Sequence, residues 1–236
     1  MKHAVILSTA AVLSALIWAG CGSSKSLVMV PDHTDRYIVV SVEPGEKFRH
    51  PMKVMPLVTV RNPPQMAIWL ETIDGVYVET LLLTRRTGEQ SWRKSPDDDI
   101  SGSEITRPEA LPVWSARGVD ASSAATPKSG FERKTSIDRT ADLVIWLEVN
   151  HSTDFNSAYP QDAVPGQVGY SGGPWGSGQP SLIYRADLET AMTAGRTELN
   201  LIGHGSPDGT DGLIYSSLEG ITDARSIVGH AVAVME

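Results

Sequence analysis

Apolar positions along the chain fall into short runs separated by glycine, proline and polar clusters, the spacing of strands rather than of long helices. Tyr37 to Val42 and Val54 to Val60 are rich in β-branched residues, and Pro56, which has no N–H for a ladder, marks the second run as an edge strand. Met66 to Glu71 and Val76 to Thr84 flank Asp74-Gly75. Asp-Gly accepts the positive backbone angles of a type I′ turn, so this stretch predicts a β-hairpin. Further strands are expected at Leu143 to Val149, Ser181 to Arg185, Glu198 to Ile202, Leu213 to Ser216 and Ile227 to Val234. Helix signals are few: Pro108 and Pro112 limit Arg107 to Arg117 to a turn or two, and Gly195 closes Leu188 to Ala194. Strands without alternating helices predict an all-β fold over residues 37–236, an immunoglobulin-like antiparallel β-sandwich with long loops and one or two short helices.

One tetrapeptide occurs twice, as Ile68-Trp69-Leu70-Glu71 and Ile145-Trp146-Leu147-Glu148. Nothing outside it matches, so two central strands, apolar on both faces with an acidic end, explain it better than a duplication. Gly88 to Ser103 and Asp120 to Arg139 are polar connections, and Gly166 to Gln179, rich in Gly, Ser and Trp, reads as a long surface loop.

The amino end differs from the rest. Met1, Lys2 and His3 precede an apolar stretch from Ala4 to Ala19, broken by Ser8, Thr9 and Ser14, which is short for the roughly 20 residues of a membrane span. Residues 1–20 therefore read as a signal peptide. Ala19-Gly20 before Cys21 resembles a bacterial lipobox, which implies cleavage at that point and diacylation of the Cys21 thiol; Trp18, where an aliphatic residue is usual, leaves plain secretion as the alternative. Residues 21–36 would then be the lipid-anchored tether. Gly22, by resemblance to lipoprotein sorting in Gram-negative bacteria, points to the outer membrane rather than to retention, with the periplasm as the compartment.

Composition narrows the chemistry. Among 236 residues, 20 Lys plus Arg against 28 Asp plus Glu leave a charge of −8, which argues against nucleic acid as a partner. A single cysteine excludes an intramolecular disulfide and the multi-cysteine zinc and iron–sulfur sites.

Several strings together resemble a bacterial family of predicted periplasmic proteins, domain of unknown function 2271. They are Ala67-Ile68-Trp69-Leu70-Glu71, Gly75 to Leu81, Arg107-Pro108-Glu109-Ala110-Leu111-Pro112-Val113-Trp114, Glu148 to Ser152 with Asp154 and Asn156, and Gly178 to Tyr184. The resemblance spans residues 60–236 and implies an envelope protein without specifying a reaction.

Four segments bear candidate chemistry. Asp120-Ala121-Ser122-Ser123-Ala124-Ala125-Thr126 resembles the acceptor sequence of covalently flavinylated proteins, which implies FMN on the Thr126 hydroxyl, room for it at Ser123, and Asp120 orienting the segment; a plain polar loop fits the same letters. Asn150 to Asn156 reads as a polar turn; the functional alternative has His151 and Asp154 join His204, Asp208 or Asp211 around a metal. Gly169-Tyr170-Ser171-Gly172-Gly173 matches a nucleophile-elbow string but lacks the helix that must follow it. Trp175 in its glycine-rich loop is a candidate ligand contact, together with His151 and His204. Three functions follow: a non-enzymatic binding or accessory module, a redox protein carrying covalent FMN, and a metal-binding protein or hydrolase. The expected partners are membrane lipid through Cys21, an envelope protein and, for the redox reading, a flavin transferase.

Overall fold

The computed structural model describes residues 26–28, 37–55, 57–90, 92–93, 104–117, 130–136 and 142–236. The strands run, in chain order, β1 (Ser26–Val28), β2 (Tyr37–Pro44), β3 (His50–Met55), β4 (Val58–Asn62), β5 (Gln65–Thr72), β6 (Tyr77–Leu83), β7 (Trp92–Arg93), β8 (Glu104–Ile105), β9 (Phe131–Ser136), β10 (Leu143–Asn150), β11 (Leu182–Asp187), β12 (Arg196–Glu198), β13 (Asn200–His204) and β14 (Val228–Met235). Three helices of at most two turns accompany them: α1 (Arg85–Glu89), α2 (Pro112–Ser115) and α3 (Leu188–Ala194). The first sheet has the order β1-β9-β2-β14-β12 and the second the order β13-β11-β10-β5-β6. Within both sheets every pairing is antiparallel except that of β1 with β9.

Period-two alternation places the core. Ile38, Val40 and Val42 on β2, with Ala231 and Ala233 on β14, meet Met66, Ile68 and Leu70 on β5, Ile145, Leu147 and Val149 on β10, and Leu182 and Tyr184 on β11. The fold is thus an antiparallel β-sandwich, as the spacing predicts.

The second sheet is buried on its outer face as well. Ala67, Trp69, Leu83 and Ile183 form a second cluster with Leu111, Val113 and Trp114 of the α2 segment, which lies across that face. The repeated tetrapeptides pair directly with each other: Trp69 faces Trp146, Ile68 faces Leu147 and Leu70 faces Ile145. The two indoles stack with centroids 5.9 Å apart and planes 9° apart. Because the strands are antiparallel, Glu71 and Glu148 lie toward opposite ends of the same covered face.

Local departures have physical causes. The β5–β6 connection runs from Ile73 to Val76, with Gly75 N–H donating to Thr72 O at 2.9 Å and Thr72 N–H to Val76 O at 2.8 Å. Gly75 has φ +82°, while Asp74 is not among the non-glycine residues with positive φ, so the turn is not type I′. It is instead a type I turn closed by a left-handed glycine. The Val54 to Val60 run does not form one edge strand; β3 and β4 make a separate two-stranded ribbon. Glu198 to Ile202 divides as well: β12 pairs in the first sheet and β13 in the second, and the chain crosses at buried Leu199. In the Leu213 to Ser216 run, only Tyr215 pairs, in an isolated bridge with His204. Helix α1 has no sequence signal because Gly88 lies inside it. A tertiary bond holds it, Thr87 Oγ1 donating to Gln65 Oε1 at 3.1 Å, and an exposed pair within the helix, Arg85 with Glu89 at 2.8 Å, adds to it.

Candidate functional site

Two long connections meet at the end of the second sheet where β10 and β13 finish. One runs from β10 to β11 and contains the glycine-rich segment; the other leaves His204 and returns at Tyr215. The second is closed by reciprocal backbone bonds, His204 N–H to Tyr215 O at 2.9 Å and Tyr215 N–H to His204 O at 2.8 Å. Between the connections lies an open cleft of about 330 Å³, lined by Gln167, Gly169 and Tyr170 on one side and His204, Ser206, Asp208, Thr210 and Tyr215 on the other.

The His204 side is tightly organised. Its imidazole stacks on Tyr215, centroids 5.4 Å apart and planes 19° apart. Nδ1–H donates to Gly205 O at 2.7 Å, which fixes the tautomer and leaves Nε2 as the remaining ring nitrogen. Tyr215 Oη–H donates to Asp211 Oδ2 at 2.8 Å. Asp208 Oδ1 accepts from Ser206 Oγ at 2.7 Å, from Thr210 Oγ1 at 2.8 Å and from Thr210 N–H at 3.2 Å. Partial burial raises the Asp208 pKa, but these hydrogen bonds outweigh it and hold the carboxyl below its ordinary range, so the cleft presents a carboxylate at neutral pH. The string Ser206-Pro207-Asp208-Gly209-Thr210 is the sequence signal of this turn, with Asp between two hydroxyl residues and next to glycine.

Beneath the cleft are two carboxyls that the sequence does not single out. Glu148, wholly buried, accepts from Ser181 Oγ at 2.6 Å, Val113 N–H at 3.2 Å and Trp114 N–H at 2.8 Å, and so caps the first turn of α2 from another strand. Burial pushes it up to about 7, against those donors. Gly205 packs over this pair: a Cβ there would lie 2.6 Å from Ser181 Oγ and 2.7 Å from Pro112 Cγ. Glu109, 2% exposed, lies under Gly172, whose Cβ would fall 2.3 Å from Glu109 Oε1. Burial pushes Glu109 up to about 7 as well, with nearby Asp208 adding to the shift and Arg107 opposing it. Its Oε1 has no hydrogen-bond partner among the described residues. The backbone of Pro108 and Glu109 also abuts Gly209, so the residue meets one loop of the cleft through its carboxyl and the other through its main chain.

The remaining candidates divide among other environments. His151 Nε2 donates to Lys47 O at 2.8 Å, and its ring lies 5.4 Å from that of His50. Burial lowers its pKa to about 4, so it is neutral under ordinary conditions. Asp154 does not shape its own turn; its Oδ1 accepts from Gln179 N–H at 3.0 Å, 25 residues away. Asn156 does, accepting from Ala158 N–H and Tyr159 N–H at 2.9 Å each. His151 and Asp154 thus serve contacts separate from those of His204, and among the described residues no three His, Cys, Asp or Glu side chains converge into a metal-binding group. Ser171 is a structural serine, its Oγ accepting from Gly178 N–H at 3.1 Å. Trp175 does not line the cleft; its indole N–H is buried and has no partner among the described residues. Thr126, Asp120, Ser123 and Cys21 lie outside the described residues.

No family model, curated protein or solved structure matches the chain. The cleft must therefore be read from its own chemistry. It offers an ionised carboxylate, an imidazole nitrogen, hydroxyls and two aromatic faces, a lining complementary to a hydroxyl-rich or cationic group.

Proposed function

We propose that this chain is an exported, lipid-anchored protein of the bacterial cell envelope, related to the periplasmic family it resembles in sequence. Its role is that of a non-enzymatic binding or accessory module, and its ligand is a small hydroxyl-rich or cationic compound held between Tyr170, His204, Asp208 and Tyr215. The observation that carries the reading is the organisation of the cleft. Asp208 is held ionised by Ser206 and Thr210, and His204 is fixed by Gly205 and Tyr215, so each polar group is held in place by its protein neighbours.

Amino sugars combine both ligand features and serve as the probe. Saturation-transfer NMR with glucosamine is expected to show transfer from the protein, reduced at least tenfold in binding constant by Asp208→Asn, since a charge-assisted bond contributes about 1.5–3 kcal/mol. His204→Ala is expected to weaken binding similarly, and Trp175→Phe to leave it unchanged. Absence of transfer, or equal transfer in all three variants, would remove the cleft from the account.

A further inference from the structure

We propose that the β3–β4 ribbon is a second membrane contact, docking on an anionic phospholipid surface at the end of the sandwich where β1 begins, five residues after the proposed lipid anchor at Cys21. The tether belongs to the reading above; the ribbon has observations of its own. Leu57, between its strands, is fully exposed, and Val58 and Val60 are 40% and 37% exposed. Val60 lies opposite Met52, so Val58, Val60 and Met52 share one face, while Arg61 and Thr59 occupy the other. Leu57 has φ +69°, a conformation in which glycine or asparagine would be easier, yet the tip carries a large apolar side chain.

Charge selects the partner. The whole chain has a net charge of −8, yet from Lys47 to Leu70 there is no acidic residue, while Lys47, Arg49, Lys53 and Arg61 are all basic. Lys47 is paired with Asp223 at 2.9 Å at the base, so Lys53 and Arg61 are the charges of the ribbon itself. A basic ribbon with an apolar face and tip matches the interface of a bilayer containing anionic lipid. The base is fastened to the sandwich, since His50 Nε2 donates to Thr153 O at 3.2 Å.

Topology supplies the second argument. Ser26 and Ser41 both lie beside Glu132, so β1 begins at the end of the first sheet where β2 finishes. The ribbon leaves β2 from that end, after Pro44. Cys21 precedes Ser26 by only five residues, a reach of at most about 18 Å. An acyl chain on Cys21 would hold the ribbon end of the molecule against the bilayer.

The test is hydrogen–deuterium exchange on the full chain with saturating vesicles of phosphatidylglycerol and phosphatidylethanolamine in equal parts, against phosphatidylcholine alone. An anchor at Cys21 brings the chain to either vesicle, so the readout is local. Amides of residues 50–62 are expected to slow with the anionic vesicles alone. The docking equilibrium read from that protection should fall roughly 25-fold in K53Q/R61Q, about fivefold per basic side chain, and should be abolished in L57D/V60D. Equal protection with both vesicles, none with either, or protection that survives both variants would overturn the proposal. Protection that appears with protein concentration in the absence of lipid would assign the ribbon to a second copy of the chain and overturn it too. Intact mass of the same sample reports acylation, so an acylated chain with an unprotected ribbon rejects the docking and keeps the anchor. An unacylated chain with a protected ribbon does the reverse.

Discussion

Three donors converge on Glu148, the Ser181 hydroxyl and the Val113 and Trp114 amides, yet burial outweighs them and moves its pKa from 4.5 to about 7. A carboxyl raised in this way binds its proton more tightly folded than unfolded. Its effect on stability is absent below about 4.5 and grows unfavourable as pH rises through about 7, to roughly 3 kcal/mol. Glu109, shifted by burial in the same direction, adds to this loss. His151 opposes both: held neutral by burial, it removes stability as pH falls from 6.5 toward about 4. In urea titrations at about pH 4.5 and about pH 8, Glu148→Gln is expected to lose about 3 kcal/mol less than wild type between the two. It should also be less stable at the lower pH by about 1–3 kcal/mol, because its amide turns a donor toward the donors of α2. An unchanged pH slope would contradict the assignment. Neither effect was legible in the residues around position 148, since the burial comes from a segment some 35 positions earlier in the chain.

At the level of elements, the paired tetrapeptides hold the outer face together. Trp69 is fully buried, stacks on Trp146, donates to Glu71 Oε1 at 2.8 Å and lies in one cluster with Leu111, Val113 and Trp114. Trp69→Ala is expected to cost about 3–5 kcal/mol in urea unfolding, and Trp69→Phe, which keeps most of the packing, about 1–2 kcal/mol for the lost hydrogen bond. A loss under about 1 kcal/mol for the alanine variant would mean that α2 does not depend on this face. The central strands could be read in advance because burial on both faces writes a continuous apolar run. The pairing of one tetrapeptide with its twin could not, since register depends on partners that no local pattern names. For the same reason Glu198 to Ile202 reads as one strand although it divides between two sheets at Leu199. The cleft was half legible: the polar turn from Ser206 to Thr210 has a clear local pattern, whereas Tyr215 becomes a wall of the cleft only through its bridge to His204.

On the scale of the whole molecule, the ribbon, the β10–β11 connection and the His204 loop all issue from the end of the sandwich where β2, β10 and β13 finish. β1 begins at that end of the first sheet, five residues after Cys21. Among the described residues no helix is long and apolar enough to cross a membrane. In the proposed account attachment comes from acyl chains on Cys21, each buried CH₂ contributing about 0.8 kcal/mol. Everything placed at that end, cleft and ribbon alike, derives its setting from this attachment. Intact mass spectrometry of the protein isolated from a membrane fraction tests it most directly. The expected mass is that of a chain beginning at Cys21 with a thioether-linked diacylglycerol and an acylated amino terminus; a mass equal to the uncut chain from Met1, recovered without membranes, would contradict it.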